Sequence, residues 1–277
     1  MSGKAVFRGL ATGVLTGAAL LGGCAPVPVA EPAPEVARGV PGFDTRDYPG
    51  DDAMGLWLEH SPYRWVGFYL PAPCFRGTGW EGRRSELESM GWGLAVLFVG
   101  EQDWAEILPE DQVIADPTLP RCTRANLHGD RGSEHGVEAV EVAAAEGFPP
   151  GTAIYLNVER VERVSSDLRD YVRAWAAAVV DDGRYTPALY AHAWNAEELL
   201  PILSDELAGG PGAGEPGAGE PRLWVATSRD FALHRAPDES GFPAAHIWQG
   251  VFDVRETWGG VTLRIDANVA RTAAPSR

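Results

Sequence analysis

Lysine is nearly missing from this chain. One residue, Lys4, stands against 22 arginines, and acids outnumber cations 39 to 23, for a formal net charge of −16. No long basic run is present, so nucleic acid is not an expected partner. The preference for Arg reads as a mark of high-GC coding and not as chemistry. Cysteine is scarce as well, at three. Cys24, Cys74 and Cys122 have none of the neighbours of a zinc site or a CxxC redox pair, and His192 and His246 are lone histidines. No metal and no cofactor are therefore expected. A G-x-S-x-G elbow is also lacking, which leaves a serine-nucleophile hydrolase without support.

What is present begins with an export signal. Lys4 and Arg8 precede an apolar, small-residue run from Gly9 to Leu21, too short and too glycine-rich for a comfortable membrane span. It ends in Leu21-Gly22-Gly23-Cys24. This looks like a bacterial lipobox, so residues 1–23 are expected to be removed and Cys24 to carry a lipid. The alternative is an ordinary signal peptide with a chance cysteine. Either way the mature chain lies outside the cytoplasm, where disulfides persist. A Cys74–Cys122 bridge is then the simple pairing, and two free thiols the alternative.

Residues 24–41 are rich in Pro and Ala and read as a tether. Residues 208–221 contain a tandem GAGEP and read as a flexible surface loop within one domain spanning 42–271. The tail after Arg271 is expected to fray. Between these segments, eight short apolar runs alternate with helical patterns. The strands are Gly42–Thr45, Arg64–Leu70, Gly93–Gly100, Thr152–Glu159, Thr186–His192, Arg222–Thr227, Ala245–Val251 and Val261–Asp266. The helices are Asp51–His60, Trp80–Met90, Gly132–Glu146, Ser165–Asp181 and Asn195–Leu207. Ser165-Ser166-Asp167 caps the fourth helix, and Leu168, Val172, Trp175, Ala176 and Val179 recur at helical spacing. Alternation of this kind predicts a parallel sheet with helical cover, and eight strands predict an α/β fold of the (β/α)8 TIM-barrel type. Helices after the sixth and seventh strands are weak or missing, so irregularity is expected in the last third.

Side chains alternate across a strand. In TAIYLNVE, Ile154, Leu156 and Val158 share a face that helices would cover. Ala153, Tyr155, Asn157 and Glu159 share the other, which would face the barrel interior. Polar residues fall where strands end: Asp44, Tyr69, Gln102, Glu159, Gln249 and Asp266. In a parallel barrel those ends meet at one mouth, where catalytic groups sit. Three carboxylates there, Asp44, Glu159 and Asp266, suit acid/base work on a glycosidic bond. The bland readings are a Glu159–Arg264 or Asp266–Arg264 pair, and a turn or cap role for Asp44 and Asp266. Tyr69 and Trp248 would stack on sugars or else belong to the core. Asn157, Gln102 and Gln249 complete the expected substrate-binding set.

In order, GFDTRDYPG, VGFYLPAP, GWGLAVLFVGEQ, GFPPGTAIYLNVE, LWVA, WQG and RIDAN resemble a glycoside-hydrolase-like domain of unknown function, first noted in a mycobacterial secreted protein and similar to the family 25 lysozymes. The resemblance covers residues 42–270. It implies a (β/α) barrel with its site at the C-terminal mouth and a cell-wall glycan as partner. The lipobox separately leads to the expectation of a lipid-anchored place in the cell envelope, and a monomer is expected. In the lysozyme pattern the fourth strand ends in Asp-x-Glu, with the Glu as general acid. Glu159 matches that Glu, and Asn157 stands where the pattern has Asp. The first-strand and last-strand acids match Asp44 and Asp266. Whether the protein cuts glycan or only binds it is left open by Asn157.

Overall fold

The computed structural model describes residues 38–103, 122, 124–210 and 220–277. The leader, Cys24, most of the tether and positions 211–219 of the Gly/Pro loop lie outside the described residues. The chain forms eight strands: β1 (Val40–Asp44), β2 (Trp65–Tyr69), β3 (Gly93–Phe98), β4 (Ala153–Val158), β5 (Thr186–His192), β6 (Arg222–Ala226), β7 (Ala245–Trp258) and β8 (Val261–Ala270). Five helices accompany them: α1 (Asp51–His60), α2 (Arg84–Met90), α3 (Gly129–Ala145), α4 (Ser166–Asp182) and α5 (Ala193–Gly209). The strands close in chain order into a barrel.

Local chemistry explains the best-defined elements. The Ser165 hydroxyl accepts the Leu168 N–H at 3.1 Å and starts α4, and Gly183, at φ 76, ends it in the left-handed conformation that favours glycine. Leu168, Tyr171, Val172, Trp175 and Val179 are buried on one face of this helix, which packs between α3 and α5. The strand alternation sorts the core into two layers. Ile154, Leu156 and Val158, with Val66 and Phe68, lie under the helices. Ala153, Tyr155, Trp65, Leu97 and Trp224 fill the barrel interior.

Two expectations change. First, β1 to β7 pair in parallel, but β8 runs antiparallel to both β7 and β1. Trp258 pairs with Val261 across Gly259 and Gly260, whose positive φ values of 57° and 79° suit a two-residue primed hairpin turn. No crossover helix is needed there, which accounts for the missing helix after the seventh strand, whereas β6 and β7 pair in parallel with only a short 3-10 turn, Pro237–Ser240, between them. The outer part of the hairpin packs on α1, where the Trp57 indole donates to the Val261 carbonyl. Second, the tail after Arg271 is not frayed. Ala153 N–H donates to the Ser276 carbonyl at 2.7 Å, Val96 N–H to the Ser276 hydroxyl at 2.8 Å, and the Tyr155 hydroxyl to the Pro275 carbonyl at 3.3 Å. The first two bonds satisfy backbone N–H groups of β4 and β3 that would otherwise be buried without partners, and the segment closes the barrel base. Gly93 is required by this contact: a Cβ there would lie 1.5 Å from the Ala273 carbonyl oxygen. Cys74 and Cys122 form a disulfide.

Candidate functional site

The mouth of the barrel, opposite the tail, gathers the acids. Asp44 ends β1, Glu159 follows β4, and Asp266 lies within β8, directly opposite Asp44 in register. All three line one cavity of about 250 Å³, together with Tyr69, Asn157, Arg160, Tyr190, His192 and Phe252. A second cavity of about 350 Å³ adjoins it and shares Asp44, Tyr69 and Asp266. Glu159 and Asp266 are half-buried and open to the first cavity, whereas Asp44 is buried. Gly67 in β2 makes room for Asp44, since a Cβ there would meet the Asp44 Cβ at 2.7 Å.

Asp44 is held by donors on several sides. Tyr69 Oη donates to its Oδ2 at 2.8 Å and Asn268 Nδ2 to its Oδ1 at 2.8 Å. Gln249 Nε2 bridges the two acids, 2.6 Å from Asp266 Oδ2 and 3.5 Å from Asp44 Oδ1. Gln249 is itself oriented by Tyr190, whose hydroxyl donates to Oε1 at 2.6 Å, and Asn268 by the Trp224 indole N–H at 3.0 Å. Donors favour the ionised carboxylate, but burial and the neighbouring Asp266 charge outweigh them, and the Asp44 pKa is pushed up to about 8. Burial also raises the pKa of Asp266.

Glu159 is raised by burial and partly lowered by Asn157, whose Nδ2 donates to Oε1 at 3.0 Å. Among the described residues Oε2 has no hydrogen-bond partner, so the outer oxygen is available to a ligand. The carboxyl is thus fixed through one oxygen and presented through the other. Gln102 fixes the backbone beneath it. Its Oε1 accepts the Glu159 N–H at 3.0 Å and its Nε2 donates to the Asn157 carbonyl at 2.8 Å.

The expected residues therefore separate. Asp44, Glu159, Asp266, Asn157 and Tyr69 converge on the cavity, and Gln249 lies beneath it between two acids. Gln102 is buried and supports β4 in place of facing a ligand. Trp248 is fully buried in the helix-covered layer, and its indole donates to the Thr227 carbonyl. The reason is alternation: with Gln249 pointing inward, Trp248 must point outward. Arg264 does not pair with Glu159 or Asp266. It is exposed beyond the barrel rim and forms a fork with Asp253. His192 caps α5 by accepting the Trp194 N–H, and burial lowers its pKa. Asn268 and Tyr190 escaped the sequence reading. Asn268 carried a signal, since it lies two residues from Asp266 on the same strand face.

Among the described residues, the group closest to a metal-ligand cluster is Cys74, Glu101 and Cys122. Its two sulfurs are bonded to each other, and a disulfide is not a thiolate donor pair.

A closed α/β barrel whose mouth holds several carboxylates, with helices on the flanks, defines a glycoside-hydrolase-like protein. The chain belongs to the Rv2525c-like, glycoside hydrolase-like domain family, whose model matches residues 56–270. Its fold is similar to that of an uncharacterized B. stearothermophilus protein, at 16% identity and a TM-score of 0.55 over 84% of this chain and 96% of that one. It is also similar to the modular autolysin LytC from Streptococcus pneumoniae, at 12% identity and a TM-score of 0.53 over 83% of this chain and 46% of that one. A third likeness is to the Clostridium perfringens spore cortex lytic enzyme SleM, at 14% identity and a TM-score of 0.51 over 87% and 68%. At such identities the likeness is one of fold. No curated protein matches the chain in sequence.

Proposed function

We propose that this chain is a glycoside hydrolase acting on cell-envelope glycan, peptidoglycan or a related polysaccharide, outside the cytoplasm and anchored by lipid on Cys24 after removal of residues 1–23. The observation that carries the reading is the convergence of Glu159, Asp266 and Asp44 on one cavity, with Glu159 held through Oε1. Glu159 is the acid: burial favours its protonated form, and the proton moves from it to the glycosidic oxygen as the C–O bond breaks. Asp266, partly open to the cavity, is the assisting carboxylate, which stabilises the cationic sugar centre when ionised. Asp44 lies beneath and takes up negative charge only at the cost of burial, so it modulates Asp266 across Gln249. The fold likeness to cell-wall lytic enzymes supports the choice of glycan.

One observation favours a second reading, a glycan-binding module without turnover. The Asn157 amide donates to Glu159, which favours the ionised form that an acid catalyst does not use. Incubation of the mature protein with peptidoglycan, beside Glu159→Gln, separates the two. Release of reducing ends by wild type, reduced about a hundredfold or more in the variant, is the expected result. Equal release from both would remove Glu159 from its role. No release, with glycan raising the melting temperature of both, would establish binding alone.

A further inference from the structure

The segment that follows β4 and the first turn of α5, which follows β5 directly, lie side by side because those strands are parallel neighbours. This brings Arg160 onto Trp194. The Arg160 guanidinium carbon sits 4.6 Å from the Trp194 ring centroid, and the His192 ring is 6.4 Å from the same indole. Trp194 is 67% exposed, an unusual position for a large aromatic ring. Arg160 and His192 line the cavity that holds Glu159. Among the described residues Arg160 makes no ion pair, although most arginines of this acidic chain are paired, and it is the one arginine lining that cavity. Phe252, 44% exposed, lines the cavity as well.

Each feature has a chemical consequence. An exposed indole at a cavity rim offers a flat apolar face to the C–H side of a sugar ring. A guanidinium laid over that indole is held in orientation while its edge remains free to donate two parallel hydrogen bonds to a carboxylate. Apart from His192, the other ionisable side chains that line this cavity are carboxyls and tyrosines, which offer an anion no positive partner. An unpaired cation there therefore discriminates between charged and neutral glycan.

We propose that Arg160 and Trp194 form a subsite for a carboxylate-bearing sugar, next to the acids of the mouth. The inference rests on the glycan reading above and specifies the substrate class. Trp194 supplies the stacking platform for any sugar, and Arg160 supplies the preference for an anionic one.

The test compares two probes of equal length: a neutral tetrasaccharide of N-acetylglucosamine, and a hyaluronan tetrasaccharide, in which N-acetylglucosamine alternates with glucuronate. Binding is measured by calorimetry at low and high salt on wild type, Arg160→Met and Trp194→Ala. Arg160→Met keeps an apolar stem on the indole and removes only the charge. Wild type is expected to prefer the anionic probe about tenfold at low salt, and the preference should shrink as salt rises. Arg160→Met should bring the ratio of affinities to about one, and Trp194→Ala should weaken both probes. Equal binding of the two probes by wild type, or an unchanged ratio in Arg160→Met, overturns the subsite while the glycan reading survives. Binding of neither probe overturns both.

Discussion

Asp44 gives the sharpest prediction about the mouth. In the folded protein its carboxyl keeps a proton up to about pH 8, because burial and the charge of Asp266 outweigh three hydrogen-bond donors. In the unfolded chain the same carboxyl ionises near its ordinary value of 3.8. Between those values the folded state binds more protons than the unfolded state, so stability falls as the pH rises from about 4 to about 8. At about 1.4 kcal/mol for each tenfold in proton affinity, the full displacement corresponds to about 6 kcal/mol. Asp44 and Asp266 titrate as a pair, so Asp44→Asn should recover about half of that, roughly 3 kcal/mol. The amide is a fair copy of the protonated acid. Its oxygen can accept from Asn268, and its NH2 can donate to the Tyr69 hydroxyl oxygen. Urea denaturation at pH 5, 7 and 9 with the disulfide intact tests this. Variant and wild type should agree within about 1 kcal/mol at pH 5. At pH 9 the variant should be the more stable by about 3 kcal/mol. A difference that does not change with pH would show that Asp44 ionises at its ordinary value, and the account of the acid pair would be wrong.

Two further outcomes rest on the same contacts. Asn157→Asp removes the donor at Glu159 Oε1 and places a like charge two residues away on the same face. The Glu159 pKa should rise, moving the alkaline limb of turnover upward, and a 13C carboxyl titration reports the same shift without turnover. An unmoved titration would mean that Asn157 does not set the state of Glu159. Replacing both Cys74 and Cys122 by Ser removes a cross-link between residues 48 apart in sequence, and urea denaturation should show a loss of about 4 kcal/mol on the chain-entropy account. A loss under about 1 kcal/mol would mean that the unfolded chain gains little freedom when the bridge is cut.

The barrel was legible because its two periodicities are strong and local. Each of the eight apolar runs coincides with a strand to within a few residues, apart from β7 and β8, which run longer, and the Ser165 cap lies where the hydroxyl pattern placed it. The site was legible only where strand position alone decides it, as with Asp44 and Glu159. The sequence leaves Trp248 open between sugar stacking and the core, and it is core because neighbours on one strand face opposite ways and Gln249 faces inward. Gln102 lies past the end of β3, where alternation no longer applies, and its amide turns to the backbone of β4. Arg264 shares a strand parity with Asp266, yet it sits on the part of the hairpin that has left the barrel, where parity no longer means interior. Its partner, Asp253, belongs to the bulged stretch of β7, at a positive φ of 58° that no periodic pattern announces.

The reversed strand matters most to the site. Alternation reports which face a residue occupies and says nothing of strand direction. Asp266 was expected at the mouth as the last residue of an eighth parallel strand. It reaches the mouth instead partway along a strand that runs downward, with Asp44 opposite Asp266, Gly42 opposite Asn268 and Val40 opposite Ala270. Direction then decides where the chain goes beyond the acid. After a parallel strand, the next residues would leave into a loop above the mouth. In β8 they descend the barrel wall, so Asn268 lies one layer below Asp266 on the same face and reaches Asp44 at 2.8 Å. The same descent delivers residues 272–277 to the base, where Ser276 bonds to β3 and β4. A single turn at Gly259-Gly260 thus accounts for a supporting residue in the mouth and for the plug at the opposite end. Neither can be deduced from where Asp266 sits in the sequence.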